Sequence, residues 1–124
     1  MKKIAIPAIA FAIAIMSIGA ASAADVKKGK RVFAKCKACH LVNKEKNKVG
    51  PHLVGIIGRK AGAVEGYKYS KAMLNSGLVW DEPTLALYLK KPKKFVKGTK
   101  MAFAGLRKDA DIANVIAYLK EASQ

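Results

Sequence analysis

The sequence predicts a small all-α domain in which short helices are separated by long loops. Asp25, Asp81 and Asp109 each stand before a stretch that suits a helix, as helix-capping residues do. No stretch alternates polar and apolar residues with a period of two, so nothing indicates a sheet. Residues 41–66 are rich in Gly and Lys and are predicted to form loops. Because long loops are unusual in a small domain, something other than secondary structure should organise them.

The first 23 residues have the layout of a secretory signal peptide. Lys2 and Lys3 are followed by a run that is apolar from residue 4 to residue 18 apart from Ser17, and then by the small-x-small pattern Ala21-Ser22-Ala23. The run is short for a membrane span, which needs about 20 apolar residues. We therefore predict a cleaved signal peptide over 1–23 and one domain over 24–124. The protein is then exported to a bacterial periplasm; an uncleaved leader that anchors it to the inner membrane is the alternative.

The first predicted helix begins after Asp25 and runs toward Cys39. Its inner face is defined by residues spaced at helical steps of three, four and three, namely Val26, Gly29, Phe33 and Cys36. A short second candidate covers residues 69–76.

The third helix is predicted to begin after Asp81, with Pro83 tolerated in its first turn. It should run to residue 90 or 91, where Pro92 ends it. Asp109 is predicted to cap the last helix, whose apolar stripe has the i, i+3, i+4, i+7 spacing: Ile112, Val115, Ile116 and Leu119.

The charge is strongly positive. The whole chain carries a net charge of +16, which falls to +14 when the leader removes two lysines. Such a field attracts anionic partners, and nucleic acid, anionic lipid and acidic protein surfaces all qualify on charge alone. The most biased stretch is Lys90–Lys100, which holds six lysines in eleven residues.

The chemistry is carried by Cys36-Lys37-Ala38-Cys39-His40, a C-x-x-C-H motif. This spacing is the signature of covalent haem attachment. It places both sulfurs on the same side of a helical turn, so that each can form a thioether to one haem vinyl group. His40 follows directly and can reach the iron from that side.

Two other interpretations compete for the cysteine pair. A Cys36–Cys39 disulfide in a thioredoxin-like motif normally lies near a βαβ pattern, which is absent from this sequence. A zinc site needs four ligands, and the chain has no other cysteine and only His52 as a second histidine. The motif therefore favours one covalently bound haem c with His40 as an iron ligand.

The sequence from residue 24 onward resembles class I c-type cytochromes, the monohaem cytochromes c of mitochondria and bacteria. The resemblance covers nearly all of it and is carried by these segments: Gly29-Lys30-Arg31-Val32-Phe33, Cys36-x-x-Cys39-His40, Gly50-Pro51-His52-Leu53, Gly58-Arg59-Lys60-Ala61-Gly62, Tyr67-Lys68-Tyr69-Ser70, Trp80, Tyr88-Leu89, Pro92-Lys93-Lys94-Phe95, Gly98-Thr99-Lys100-Met101-Ala102-Phe103-Ala104-Gly105 and Ile116-Ala117-Tyr118-Leu119. It implies the small cytochrome c fold, in which helices and long loops wrap one covalent haem.

A second axial ligand is expected opposite His40. The candidates besides the lysines are Met73, Met101 and His52. Met101 is favoured because glycines flank its loop at Gly98 and Gly105, and because a thioether opposite histidine suits electron transfer. The resemblance implies the same residue, leaving Met73 as a packing residue and His52 as a loop histidine.

The resemblance also implies the surroundings of the haem. It suggests that the Pro51 carbonyl accepts a hydrogen bond from the far nitrogen of His40, and that Tyr88 lies near the Met101 sulfur. It further suggests that the propionates are surrounded by four residues: Arg59, Tyr69, Trp80 and Thr99. Gly29 and Tyr118 would mark the crossing of the first and last helices.

The function implied is that of a soluble electron carrier and not of an enzyme, because two axial ligands leave no open position on the iron. The alternative is a haem peroxidase or a ligand-sensing haem protein, which needs a labile sixth ligand. A nucleic-acid-binding protein would explain the charge but not C-x-x-C-H.

The resemblance implies membrane redox complexes as partners, such as a quinol–cytochrome c oxidoreductase and a terminal oxidase. A monomer is expected to dock on them through Lys90–Lys100, because redox encounters use small, electrostatically steered interfaces. One residue departs from the family pattern: Lys97 stands where proline is common, which should loosen the loop that presents Met101.

Overall fold

The computed structural model describes residues 2–13 and 23–124. Within them the chain forms five helices: α1 (Val26–Phe33), α2 (Lys71–Leu74), α3 (Glu82–Lys90), α4 (Pro92–Phe95) and α5 (Asp109–Ala122). The described residues contain no strand, only one isolated antiparallel bridge between Lys60 and Val79. The prediction of a small all-α fold with long loops is confirmed, including the absence of any helix between residues 41 and 66.

The first and last helices cross at Gly29. A Cβ on Gly29 would lie 1.9 Å from the backbone oxygen of Asn114, so only glycine permits this approach. Beside the crossing, the rings of Phe33 and Tyr118 pack with centroids 5.3 Å apart. The backbone N–H of Asp25 donates to the side-chain oxygen of Asn114 at 2.8 Å, which fixes the start of α1 against α5. The predicted crossing of the first and last helices is therefore confirmed.

α1 ends earlier than its sequence pattern predicts, at Phe33 and not near Cys39. The backbone tightens after Phe33, where the N–H groups of Ala34, Lys35 and Cys36 each donate to the carbonyl three residues before. Such short turns are common at helix ends. The cysteine motif consequently lies in a series of turns that follows the helix.

The prediction for α3 is confirmed at its start, where the Asp81 carboxylate accepts the N–H of Thr84 at 2.8 Å. The stop at Pro92 is only partly right. α3 ends at Lys90, but Pro92 then begins the short helix α4, because proline suits the first turn of a helix, where no N–H is needed.

Asp109 does not cap α5. Lys108 occupies the cap position without a side-chain hydrogen bond, and Asp109 is the first helical residue. Its carboxylate instead pairs with the ammonium of Lys90 at 2.7 Å, which ties α5 to the end of α3. An acidic side chain in the first turn still suits the positive end of the helix dipole.

The core is formed by apolar and aromatic side chains from the helices and the loops between them. The buried set is Phe33, Val42, Ile56, Met73, Trp80, Leu85, Tyr88, Val96, Leu106, Ile112, Val115, Ile116 and Leu119. Several half-buried residues pack against it, among them Cys36 and Met101. The residues of the cysteine motif and of the predicted ligand loop thus adjoin the same core.

The predicted signal peptide lies partly outside the described residues, which omit Met1 and residues 14–22. Residues 2–13 form no helix, and their large apolar side chains are almost fully exposed; Phe11, for example, has 90% exposure. Among the described helices, none has both the length and the hydropathy to cross a membrane.

Candidate haem site

The two cysteines and the histidine of the motif lie on one backbone turn. The backbone N–H groups of Cys39 and His40 both donate to the carbonyl of Cys36, at 3.1 and 3.0 Å. Both thiols are half-buried and free of a disulfide. Burial raises the pKa of the Cys36 thiol, with Cys39 adding to the effect, so the neutral S–H form is favoured. Because neither thiol is in a disulfide, both are available for thioether formation.

The imidazole of His40 is oriented by the loop that follows it. Its Nδ1 lies 2.7 Å from the carbonyl oxygen of Pro51. Because a carbonyl only accepts, Nδ1 carries the proton and the lone pair is left on Nε2. Burial lowers the pKa of His40, which also favours the neutral imidazole. This is the form that binds a metal, and the hydrogen bond to the other nitrogen fixes its orientation.

Gly50 completes the support of the His40 ring. A Cβ on Gly50 would lie 2.4 Å from Cε1 and 2.7 Å from Nδ1 of that ring, so no larger residue fits without movement. No role for Gly50 is predicted from the sequence. The signal that could have indicated a role is its position: Gly50 directly precedes Pro51, whose carbonyl accepts the hydrogen bond from His40.

Arg59 lies near this side of the site with one buried N–H group unpaired. Its Nη1 donates to the carbonyl oxygens of His52 and Val54, at 2.9 and 3.1 Å. Its Nε is buried and has no hydrogen-bond partner among the residues that the structure describes. Burial lowers the pKa of the guanidinium, which nonetheless stays charged. An unpaired N–H on a half-buried cation fits an anionic group such as a carboxylate.

The predicted ligand loop is connected to α3 through two hydroxyl groups. The Tyr88 hydroxyl lies 2.8 Å from Oγ1 of Thr99, and the same Oγ1 accepts a long, 3.5 Å hydrogen bond from the N–H of Met101. Burial raises the pKa of Tyr88, so its hydroxyl stays protonated and available for this contact. Met101 is half-buried and packs against the core. The structure thus brings Tyr88, Thr99 and Met101 together.

Trp80 lies between the two halves of the site. Its backbone N–H donates to the carbonyl of Arg59 at 2.9 Å, and its buried ring packs on that of Tyr88 with centroids 4.9 Å apart. Tyr69 is held differently, because its hydroxyl accepts the N–H of Val64 at 3.1 Å.

The two other candidate ligands have structural surroundings of their own. His52 lies in a loop, where its Nδ1 accepts the N–H of Val54 at 3.2 Å. Met73 is buried in the core at the end of the short helix α2. Among the described residues, no three His, Cys, Asp or Glu side chains cluster to hold a metal ion by themselves.

These residues fit a covalently attached haem. Cys36 and Cys39 are free thiols on one turn, and the neutral His40 that follows them has an available Nε2. The buried, unpaired N–H of Arg59 can donate a hydrogen bond to an anionic group. The fold and the site together define a c-type haem protein.

Comparison with known proteins also indicates a c-type haem protein. Residues 26–123 match the family model of cytochrome c. Cytochrome c2 iso-2 of Magnetospirillum fulvum is 58% identical over 88 residues, which cover 71% of this chain and 92% of that protein. Cytochrome c2 of Rhodomicrobium vannielii is 48% identical over 120 residues, which cover 96% of this chain and 95% of that protein.

The solved structures give the same result. Cytochrome cH from Methylobacterium extorquens superposes with a TM-score of 0.74 and 48% sequence identity, covering 77% of this chain and 97% of that one. The chain belongs to the cytochrome c family. It binds one covalent haem c and is a monohaem electron carrier.

Proposed function

We propose that this protein is an exported, soluble electron carrier whose haem iron is bound by His40 and Met101, and that it has no enzymatic activity. The observation that carries the proposal is the hydrogen bond between His40 Nδ1 and the Pro51 carbonyl, which leaves Nε2 free to bind iron. The contact between Tyr88 and Thr99 supports Met101 as the second ligand, because it holds the loop of Met101 against the core. Two protein ligands leave the iron no position for a substrate.

Cys36 and Cys39 would hold the haem covalently. Each thiol would hold one vinyl-derived side chain of the haem through a thioether, the S–H bond being added across the vinyl double bond. The bound haem supplies an iron that gains and loses one electron. The protein contributes the axial ligands, a largely apolar environment and the hydrogen bonds that tune the potential.

The remaining predicted contacts have specific support. The unpaired Nε of Arg59 is suited to a haem propionate, and the backbone hydrogen bond from Trp80 to Arg59 makes Trp80 a neighbour of that residue. We propose Tyr69 and Thr99 as the further neighbours of the propionates. Tyr88 would lie near the Met101 sulfur, since its hydroxyl reaches Thr99 two residues away.

We propose that the protein acts as a monomer that docks through Lys90–Lys100 on membrane redox complexes, such as a quinol–cytochrome c oxidoreductase and a terminal oxidase. Lys91, Lys93, Lys94 and Lys97 are exposed within this stretch. Lys90 is paired with Asp109, so we assign it to the fold and not to docking.

Absorption spectra of the purified protein test the ligation. The oxidised wild type should be low-spin and show the weak Met–iron charge-transfer band, and Met101→Leu should lose that band. Met73→Leu is the matched control and should retain it, because Met73 is a core residue. A high-spin wild-type spectrum would mean an open iron position and would favour the peroxidase or ligand-sensing alternative.

The proposed export is tested separately. We expect the haem protein in the periplasmic fraction, with an intact mass that begins at Ala24. Retention of residues 1–23 on a membrane-bound haem protein would instead support the anchored alternative.

A further inference from the structure

The side chain of His52 closes a turn in its own loop. Its Nδ1 accepts the backbone N–H of Val54 at 3.2 Å. Because an amide N–H only donates, Nδ1 carries the lone pair, and the neutral ring holds its proton on Nε2. The backbone N–H of His52 donates to Oδ1 of Asn47 at 3.0 Å, which fixes the start of the turn. Residues 52–54 are therefore held together by a ring nitrogen that carries no proton.

The same turn holds the guanidinium of Arg59. The carbonyl oxygens of His52 and Val54 both accept from Nη1 of Arg59, at 2.9 and 3.1 Å. Nε of Arg59 is left buried and without a partner among the described residues. The direction in which this Nε points therefore depends on the conformation of residues 52–54.

The imidazole of His52 is half-buried beside a pocket of about 430 Å³, whose other charged lining residues are Glu45, Glu65 and Arg59. The two carboxylates favour a charged imidazolium, and the guanidinium opposes it. Histidine is also the side chain whose charge ordinarily changes within the physiological pH range. An imidazolium carries a proton on both nitrogens, so it cannot accept the N–H of Val54. Protonation of His52 and closure of the turn are therefore mutually exclusive.

We propose that His52 is a positioning residue for Arg59 and that it loses this role when its imidazole is protonated. With neutral His52, the turn of residues 52–54 holds Arg59 so that Nε reaches the haem propionate. A cation there offsets the negative charge of the propionate and favours the reduced iron. With a proton on Nδ1, the bond from Val54 is lost and the turn releases the guanidinium. This inference rests on the proposed function in taking a propionate as the partner of Nε.

Two substitutions in the holoprotein separate the hydrogen bond from the ring. His52→Asn keeps an acceptor, because an asparagine side chain can accept the N–H two residues on, and it does not titrate. His52→Leu removes the acceptor. At about pH 8, above the range in which histidines ordinarily titrate, His52→Asn should have the wild-type reduction potential. His52→Leu should shift the equilibrium with a reference one-electron couple about threefold toward the oxidised protein, from the weakened charge-assisted hydrogen bond.

A double-mutant cycle shows whether this effect acts through Arg59. Arg59→Gln should lower the potential by itself, and in its background His52→Leu should change the equilibrium less than about 1.5-fold. Equal effects of His52→Leu with and without Arg59 would overturn the proposal, as would no effect of His52→Leu beside a clear effect of Arg59→Gln. An unchanged potential in Arg59→Gln would refute the proposed contact between Arg59 and the haem, and with it this inference.

Hydrogen exchange at the Val54 amide gives a readout that does not depend on the iron. Its protection should fall as the pH is lowered through the titration of His52, which NMR of the imidazole follows directly. His52→Asn should keep the protection over the same range. The Gly50 amide, which donates to the Cys39 carbonyl at 2.9 Å, is the internal control and should stay protected. Protection of Val54 that does not follow the titration of His52, or that falls equally in His52→Asn, would overturn the proposal.

Discussion

The His40 imidazole is fixed by two consecutive residues: its Nδ1 donates a 2.7 Å hydrogen bond to the Pro51 carbonyl, and its ring lies where a Cβ on Gly50 would stand. Gly50 is not among the glycines of the described residues that have a positive φ. Its lack of a side chain is therefore needed for space and not for backbone conformation. The orientation of the proposed iron ligand depends on that space.

Gly50→Ala should consequently disturb the haem site more than a glycine substitution elsewhere. The new Cβ would lie 2.4 Å from Cε1 of His40, so the ring or the loop must move. We expect a loss of about 1–3 kcal/mol in unfolding free energy, as for other overpacked sites. Urea unfolding of the holoprotein measures the loss, and the visible spectrum should show a weakened His–iron bond.

Gly66→Ala is the control for that measurement. Gly66 has a φ of +74° and open space where a Cβ would stand, so its substitution strains only the backbone. It should cost about 1–2 kcal/mol and leave the visible spectrum unchanged. A Gly50→Ala protein with a normal spectrum would show that the contact with the His40 ring is unimportant.

The all-α class, the loops and the haem attachment could be predicted because each rests on local signals, namely capping residues and the C-x-x-C-H spacing. The partners of individual side chains could not be predicted, because they depend on contacts between segments that are distant in the sequence. Asp109 has the chemistry of a helix cap, yet it pairs with Lys90, nineteen positions earlier. Likewise, in the sequence Lys100 is one member of a charged run. In the structure its ammonium lies over the ring of Tyr67, in a different loop.

The cap of α3 gives a prediction on pH. Hydrogen bonds from Thr84 lower the pKa of Asp81 below its ordinary value. Because the pKa is lower in the folded state, the stabilisation is present above the unfolded pKa of about 3.9 and is lost as the pH falls through the folded pKa. Asp81→Asn keeps a cap but does not titrate, so its stability should approach and then exceed that of the wild type as the pH falls from 5 to 2.

Thermal unfolding over that pH range makes the comparison. Asp81→Ser also supplies an uncharged cap and should show the same pH dependence relative to the wild type. A stability difference that stays constant with pH would contradict the role of Asp81 ionisation.

The exposed lysines of Lys90–Lys100 should set the encounter rate with an acidic redox partner. Changing Lys93, Lys94 and Lys97 to Gln should slow the reduction of this protein by membranes containing a quinol–cytochrome c oxidoreductase. We expect about a tenfold effect at ~10 mM ionic strength and about twofold at ~150 mM, because salt screens exposed charges. Stopped-flow kinetics at both salt concentrations measure the two rates.

A second triple variant controls for net charge. Lys27, Lys28 and Lys30 are exposed on α1, and changing them to Gln removes the same charge from another surface. The reduction rate of this variant should fall less than that of the Lys93, Lys94 and Lys97 variant, and it should keep more of the wild-type dependence on salt. Equal losses in the two triple variants would mean that overall charge, and not docking at Lys90–Lys100, sets the rate.

The final prediction concerns Lys97, which stands where the resemblance to class I c-type cytochromes implies a proline. The preceding residue, Val96, has φ −121° and ψ 90°, an extended backbone that lies outside the α region disfavoured before proline. Proline has no backbone N–H to donate. Within residues 23–124, the N–H of Lys97 donates no backbone hydrogen bond, so proline at this position would abolish none. Lys97→Pro should therefore stabilise the protein by about 0.4–1 kcal/mol, because it restricts the unfolded chain and removes no backbone hydrogen bond from the folded loop.

Urea unfolding measures this gain, and an alkaline titration of the Met–iron band measures its effect on the ligand. A stiffer loop should retain Met101 to higher pH, so the midpoint should rise. Lys97→Ala is the matched control, because it removes the same amine without fixing the backbone. If Lys97→Ala raises the midpoint as much as Lys97→Pro does, the amine and not the missing proline governs the displacement of Met101. If neither changes it, the loop is held by its other contacts, of which the hydroxyl pair of Tyr88 and Thr99 is the strongest candidate.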